Sequence, residues 1–248
     1  MGKRFFYADP NLNPIFDRTK SSLMTTGFLL NLVLFLFSLY LCSSRAFLLK
    51  NWKAILYSVL FTGIFSTGVC VAFVRYQLIH YDFNQDTGFE IAGIPLAAVL
   101  LCFTVPFASI AIYQSLNQRY PDNSLDRYTL AFSNMLLGLC VAFVFFAYTM
   151  AYSVVTFMLL FLFLLFIEFR NKMRFMYRFY RTYGLIALSY FLVSMALGTI
   201  NGAAYHVAHT VKFNLAGVPF ENYVLLFVMV LFTIYLFEAF KSRNHGTA

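Results

Sequence analysis

The chain has 248 residues, of which 61% are hydrophobic, 20% aromatic and only 11% charged, with a mean hydropathy of +0.73. Soluble domains carry about 25% charged residues, so this composition excludes a soluble globular or disordered chain and leaves an integral membrane protein. The formal net charge of +8 calls for no nucleic-acid partner, because the basic residues are distributed among loops that flank apolar runs.

Runs of about 20 apolar residues form helices that cross a hydrocarbon core, since a helix satisfies its own backbone hydrogen bonds there. Seven runs are predicted, over 23–42, 54–74, 91–116, 129–147, 149–168, 183–204 and 219–240. The fourth and fifth are divided only by the uncharged FFAYTMAYSV, where a tight turn is placed at Tyr148 to Tyr152. The first run follows a polar and aromatic stretch and SLYLCSSRAF is a poor cleavage site, so it is read as a span and not as a leader.

Twelve Lys and Arg residues fall on the side of the bundle that carries EFRNKMRFMYRFYR, and six on the side of the N-terminus. Basic loops stay cytoplasmic, so the N-terminus is expected outside and the C-terminus inside, in the plasma membrane. The basic run itself reads as an anchor to anionic headgroups.

FEIAGIPLAAVLLCF begins at Phe89, and FNLAGVPFENYVLLF begins 124 residues later at Phe213. Phe, Ala, Gly and Pro recur in register, while Ala97 and Ala98 stand where the second copy has Glu221 and Asn222. Both copies lie at the start of a long apolar helix, and helices four apart in order run in the same direction. The expected fold is therefore all-α, with two parallel three-helix repeats joined by a linking helix. The divisions are an N-terminal tail over 1–22, a first repeat over 23–116, the link over 117–148, a second repeat over 149–240 and a C-terminal tail over 241–248. Gly and then Pro are expected to loosen the backbone at each helix mouth.

Polar groups collect around the two mouths: Arg75, His80, Tyr81, Asp82, Asn84, Asp86 and Glu90 at the first, and Asn201, Tyr205, His206, His209 and Asn214 at the second. Burying an ionisable residue at membrane depth is costly, which marks Glu221 as a candidate site residue. A capping carboxylate at the interface is the other reading, because a helix N-terminus favours an acid. For Asp82, Asp86 and Glu90 the plain reading is a solvated loop. Glu168 and Glu238 are read as interface partners of nearby Arg and Lys.

Cys42, Cys70, Cys102 and Cys140 have no paired or metal-ligand spacing and read as small buried hydrophobes. His206 and His209 lack a neighbouring Cys, Asp or Glu at ligand spacing, so no metal is assigned. Gly63, Gly68, Gly138, Gly184, Gly198 and Gly202 are taken as points of close approach between spans.

The frame AGIPLAAVLLCFTVPFASIAIYQSLN, with YRTYGLIALSYFLV and FNLAGVPFENYVLLFVMVLFTIYLFEAF, resembles the membrane-embedded lycopene cyclases of carotenoid biosynthesis, of the fused two-repeat type. GFLLNLVLFLFSLYL, LLKNWKAIL and HYDFN extend the likeness over most of the chain. The resemblance implies an isomerase that needs no redox cofactor. It also implies a carotenoid or other long isoprenoid as partner, within the lipid bilayer. A proton donor attacks a terminal double bond, a dry aromatic pocket stabilises the cation, and a base removes a proton at ring closure.

Family motifs read Pro-Leu-Glu-Glu in the first repeat and Pro-x-Glu-Asp in the second. This chain has Pro95-Leu96-Ala97-Ala98 and Pro219-Phe220-Glu221-Asn222. Glu221 matches a family acid, whereas Ala97 and Ala98 replace two. A family Trp-Asp pair aligns with Val71-Ala72. Its Asn-Gly and Thr-Gly pairs fall at Ser194-Met195 and Gly198-Thr199, and its later Glu lies near His209.

On this reading Glu221 is the catalytic acid and is expected to be desolvated, with Asn222 and Asn201 orienting it. Glu90, Pro95, Pro219, Tyr205, His206, His209 and Tyr223 are the expected substrate contacts. Ala72, Ala97 and Ala98 are degenerate acid positions. The alternative is a non-catalytic homologue that binds a carotenoid or isoprenoid. A retinal-type receptor lacks its lysine, since the seventh span has none before Lys241, and a transporter would need a polar path that these nearly uncharged spans do not offer.

Overall fold

Each predicted run forms a helix: α1 Pro14–Ser43, α2 Phe47–Arg75, α3 Leu96–Arg119, α4 Thr129–Phe146, α5 Ala151–Arg170, α6 Met176–Leu197 and α7 Phe220–His245. This computed structural model describes residues 14–43, 47–81, 90–121, 126–170, 175–197 and 203–245. Among them, five stretches are long and apolar enough to cross a membrane: Asn51–Arg75, Leu96–Arg119, Asp126–Phe146, Ala151–Glu168 and Phe220–Ser242. The protein is an all-α integral membrane protein.

Two predicted spans are displaced. The third was expected from residue 91, but 91–95 belong to a hairpin and α3 starts at Leu96. The sixth was expected over 183–204, whereas α6 starts earlier, at Met176, and ends at Leu197. Its arginines do not stop the helix because they find partners: Arg181 Nη1 donates to the Tyr120 carbonyl and Nη2 to Asn117 Oδ1, each at 2.9 Å. At the other end, Ala203–Tyr205 is drawn into a strand and is lost to the helix. The turn between α4 and α5 closes at Ala147, whose carbonyl accepts from Met150 N at 2.8 Å, so Tyr152 already lies in the helix.

Among the described residues, six short strands lie at one end of the bundle: β1 Ile79–Tyr81, β2 Glu90–Ile91, β3 Ile94–Pro95, β4 Ala203–Tyr205, β5 Asn214–Leu215 and β6 Val218–Pro219. The pairs β2/β3 and β5/β6 are hairpins closed by Ala92-Gly93 and Ala216-Gly217. All four turn residues have positive φ, at 53° and 81° in the first turn and 52° and 78° in the second. That is a type I′ turn, which matches the twist of a two-residue hairpin and demands glycine-like freedom at its second position. The repeated Ala-Gly-x-Pro is therefore a hairpin that ends on Pro, immediately before a helix. The expected loosening of the helix mouth by Gly is corrected: Gly93 and Gly217 make the turn, and each Pro closes it.

β1 pairs antiparallel with β4, with Ile79 opposite Tyr205, His80 opposite Ala204 and Tyr81 opposite Ala203. His80 and Ala204, at the centre, are separated by the same 124 residues as the two motifs. Helix packing repeats this relation: α1 packs on α3 as α5 does on α7, and α2 packs on α7 as α6 does on α3. The two repeats are thus related by a pseudo-two-fold centred on the β1/β4 pair, with α3 and α7 packed against each other.

Fully buried Tyr113, Phe179, Leu164, Leu231, Ile234 and Phe237 anchor the main core. In a bilayer such packing, not the expulsion of water, holds helices together. Of the glycines proposed to bring spans close, Gly63 does so: a Cβ there would meet the Phe103 ring at 2.3 Å. Gly68, Gly138 and Gly184 face open space, which corrects their assignment, and Gly198 and Gly202 lie outside the described residues. Of the two membrane-end acids, Glu238 lies 4.0 Å from Lys241 Nζ as expected. Glu168 accepts a hydrogen bond from Ser133, whose hydroxyl also meets Tyr180 OH at 2.6 Å.

Candidate functional site

The hairpin β5/β6 delivers the chain straight into α7, so Glu221 and Asn222 stand in its first turn, beneath the strands. Glu221 is 0% exposed. Its Oε1 accepts from Ser153 Oγ on α5 at 2.5 Å and from Val211 N at 2.7 Å. Among the described residues Oε2 has no hydrogen-bond partner. The carboxyl is therefore desolvated, as expected, and tied to a neighbouring helix and a loop, which a solvated interfacial cap would not be.

Asn222 points to a different set of groups. Its Oδ1 accepts from Tyr152 OH at 2.5 Å and its Nδ2 donates to Tyr205 OH, while Tyr190 lines the same cavity. Tyr152 stacks at a tilt on Tyr205, with ring centroids 5.7 Å apart, and edge-on to Phe73 at 5.1 Å. These side chains border a cavity of about 220 Å³ between α2, α3, α5, α6 and α7. Its polar lining is Ser66, Tyr81, Tyr152, Tyr190, Tyr205 and Asn222, with the thiols of Cys70 and Cys102, and the remainder is apolar. Asn222 forms part of the cavity wall, and Glu221 lies one residue behind it.

Of the sequence candidates, Glu221, Asn222 and Tyr205 come together here. Tyr223 is buried near them, its ring 4.9 Å from that of Tyr190. Pro95 and Pro219 are buried as the last residues of their hairpins. His209 is half-buried and His206 exposed, with ring centroids 4.9 Å apart, and the His209 carbonyl lies 3.5 Å from Ser153 Oγ. Glu90 is exposed on β2, across from Pro95, and does not line the cavity. Asn201, Asp82, Asn84 and Asp86 lie outside the described residues.

At the three degenerate positions the structure places alanines that pack. Ala97 is buried, and its carbonyl accepts from Asn31 Nδ2 at 3.0 Å. Ala98, the counterpart of Asn222, packs against the cluster that contains Phe73, Tyr81 and Tyr152. Ala72 is half-buried in the last turns of α2. The sequence reading missed Tyr152, Ser153 and Tyr190. The signal for the first two was available: Tyr-Ser opens the fifth span at the same membrane face as Glu221, and polar residues at an apolar helix mouth rarely lack a partner.

The sequence model of the family described as lycopene cyclase matches residues 22–116 and 149–240, the two repeated segments. The chain belongs to the lycopene cyclase family. No curated protein and no solved structure matches it. Membership in this family places the protein in carotenoid-related chemistry and makes isoprenoid and lipid its natural partners. An aromatic, largely apolar cavity inside a membrane bundle fits such partners.

Proposed function

We propose that the protein acts as a lycopene beta-cyclase-like enzyme on one linear carotenoid end group, with Glu221 as the proton source. The observation that carries this reading is a fully buried carboxyl with one oxygen held by two donors and the other unpartnered, directly behind the Asn222 and tyrosine wall of an apolar cavity. Held in this way, a protonated Glu221 has its hydroxyl at Oε2.

In the proposed reaction the proton adds to the terminal double bond of the polyene. The resulting carbocation accepts the electrons of a second double bond to close the ring. A proton then leaves the adjacent carbon, so that no atom or electron is gained overall. Faces of Tyr152, Tyr205 and Phe73 stabilise the cation, and the Asn222 hydrogen bonds fix those rings. Glu221, as carboxylate, is the base that recovers the proton. Asn201 is the further orienting group, and His206, His209 and Tyr223 support the site from the loop and from α7. The preponderance of basic residues beyond the opposite helix ends supports an outside N-terminus, which, in the plasma membrane of this proposal, puts the cavity in the outer half of the bilayer.

A second reading, a binding homologue without turnover, draws support from Ala97 and Ala98 and from the position of Glu221 behind the cavity wall. Pigment chromatography from a lycopene-accumulating bacterium separates the two. Expression of the chain should yield a cyclised carotenoid that Glu221→Gln abolishes. Unchanged lycopene copurifying with the parent chain, and cyclisation only after Ala97→Glu with Ala98→Glu, would establish the binding reading.

A further inference from the structure

A second cavity, of about 190 Å³, lies between α1, α3 and α6. It is the counterpart of the first under the 124-residue shift. Leu101, Val105, Ser189 and Val193 line it where Leu225, Met229, Phe65 and Val69 line the other. Tyr190 and Leu226 border both cavities, so the two are adjacent and these two side chains stand between them.

Their chemistry differs. The first carries Asn222 and the tyrosine hydroxyls, whereas the second is almost wholly apolar. Its two serines are spent on their own helices, with Ser109 Oγ donating to the Val105 carbonyl at 2.7 Å and Ser189 Oγ to the Leu185 carbonyl at 2.9 Å. Pockets for organic ligands span about 300–1,000 Å³. Neither cavity alone reaches that range, and the pair together does. Phe37 and Ser189, at the rim of the second cavity, are exposed on the outer face of the bundle, which in a bilayer is the lipid side.

We propose that the duplicated cavities are two halves of one site for a single long isoprenoid chain. The reacting end lies against Asn222 and the tyrosines, and the remainder passes Tyr190 and Leu226 into the cavity between α1, α3 and α6, which opens to the bilayer. This assignment rests on the isoprenoid reading above. It gives the degenerate first repeat a task that needs no acid: its Leu101 and Val105 hold the distant part of the chain.

The test compares binding of lycopene with that of myrcene, a short linear isoprenoid of end-group size, to the full-length protein in nanodiscs. Val105→Trp fills the second cavity from α3, and Ser189→Trp fills it from an exposed position on α6 that spares the core. Gel filtration and thermal unfolding establish that each variant is folded. Loss of lycopene affinity by about tenfold or more with myrcene binding unchanged, in either folded variant, is the expected result. Lycopene binding untouched by both substitutions, or equal loss of both probes, would overturn the single-site proposal and leave the isoprenoid reading standing. Failure of the parent chain to bind either probe would overturn both.

Discussion

Ser153 Oγ donates to Glu221 Oε1 at 2.5 Å across α5 and α7, while Oε2 of the same carboxyl is buried without a hydrogen-bond partner among the described residues. Glu221 is therefore a tether between helices as well as the proposed acid, and substitution can separate the two roles. Gln keeps an oxygen for Ser153 and for Val211 N, so Glu221→Gln should unfold at nearly the parent temperature and lose turnover by about 10²- to 10⁴-fold. Ala leaves the Val211 N–H without its acceptor, at a cost of about 1–3 kcal/mol, and leaves the Ser153 hydroxyl only the longer bond to the His209 carbonyl at 3.5 Å. Thermal unfolding in detergent checks the ordering, and a Glu221→Ala protein as stable as its parent would contradict the tether.

The paired turns provide a comparison with an internal control. Gly93 and Gly217 have nearly the same φ, 81° and 78°, but a Cβ at Gly93 would stand 3.2 Å from Val74 Cγ1, whereas none of its neighbours lies within 4 Å at Gly217. Alanine at either position pays the left-handed backbone cost of about 1–2 kcal/mol, and Gly93→Ala adds the contact with α2. We expect Gly93→Ala to lower the unfolding temperature more than Gly217→Ala does. Ala92→Asn and Ala216→Asn should raise it, because Asn-Gly is the preferred type I′ pair. Equal effects of the two glycine substitutions would show that the Val74 side chain yields freely.

Much of this fold could be read from hydropathy, because a spanning segment must be apolar for a full membrane width whatever its tertiary contacts. Where the reading slipped, local chemistry competed with apolarity. Ile91, Ile94 and Pro95 are as apolar as a helix start, but Ala-Gly at positive φ commits them to a hairpin. Ala203–Tyr205 left the sixth span because IHY, 124 residues earlier, supplied a strand partner that no single segment reveals. Glu221 and Asn222 were legible as polar residues at a helix mouth. Their separation into a buried tether and a cavity wall was not, since it depends on which face of α7 meets α5. Tyr190 escaped notice for a related reason: one tyrosine in an apolar helix looks like packing until α6 is docked.

Gly63 offers a sharper test of packing between α2 and α3. Its missing side chain accommodates Phe103, whose Cδ1, Cε1 and Cγ atoms all fall within 3 Å of where a Cβ would be built. Alanine must displace the whole ring, so Gly63→Ala should cost about 1–3 kcal/mol as overpacking. Gly68→Ala and Gly138→Ala meet nothing and should stabilise their helices by up to about 1 kcal/mol. Unfolding temperatures of the three variants, measured side by side, should fall for the first and hold or rise for the others. Rescue of Gly63→Ala by Phe103→Leu would tie the loss to that contact.

Tyr81 gives the site a pH dependence outside the spans. Burial, and then the neighbouring Cys70, Tyr205 and Cys102, push its phenol well above the ordinary range. The unfolded chain releases this proton at about pH 10, whereas the folded protein holds it to higher pH. The folded state binds more protons in that window, so the stability is fully present below about pH 10 and is lost as pH rises toward the folded value. Unfolding temperatures measured between neutral pH and pH 11 should fall more steeply above pH 10 for the parent than for Tyr81→Phe, which has no phenol to ionise. Superimposable pH curves for the two proteins would mean that Tyr81 is hydrated in the folded state and that the cavity wall is wetter than its lining implies.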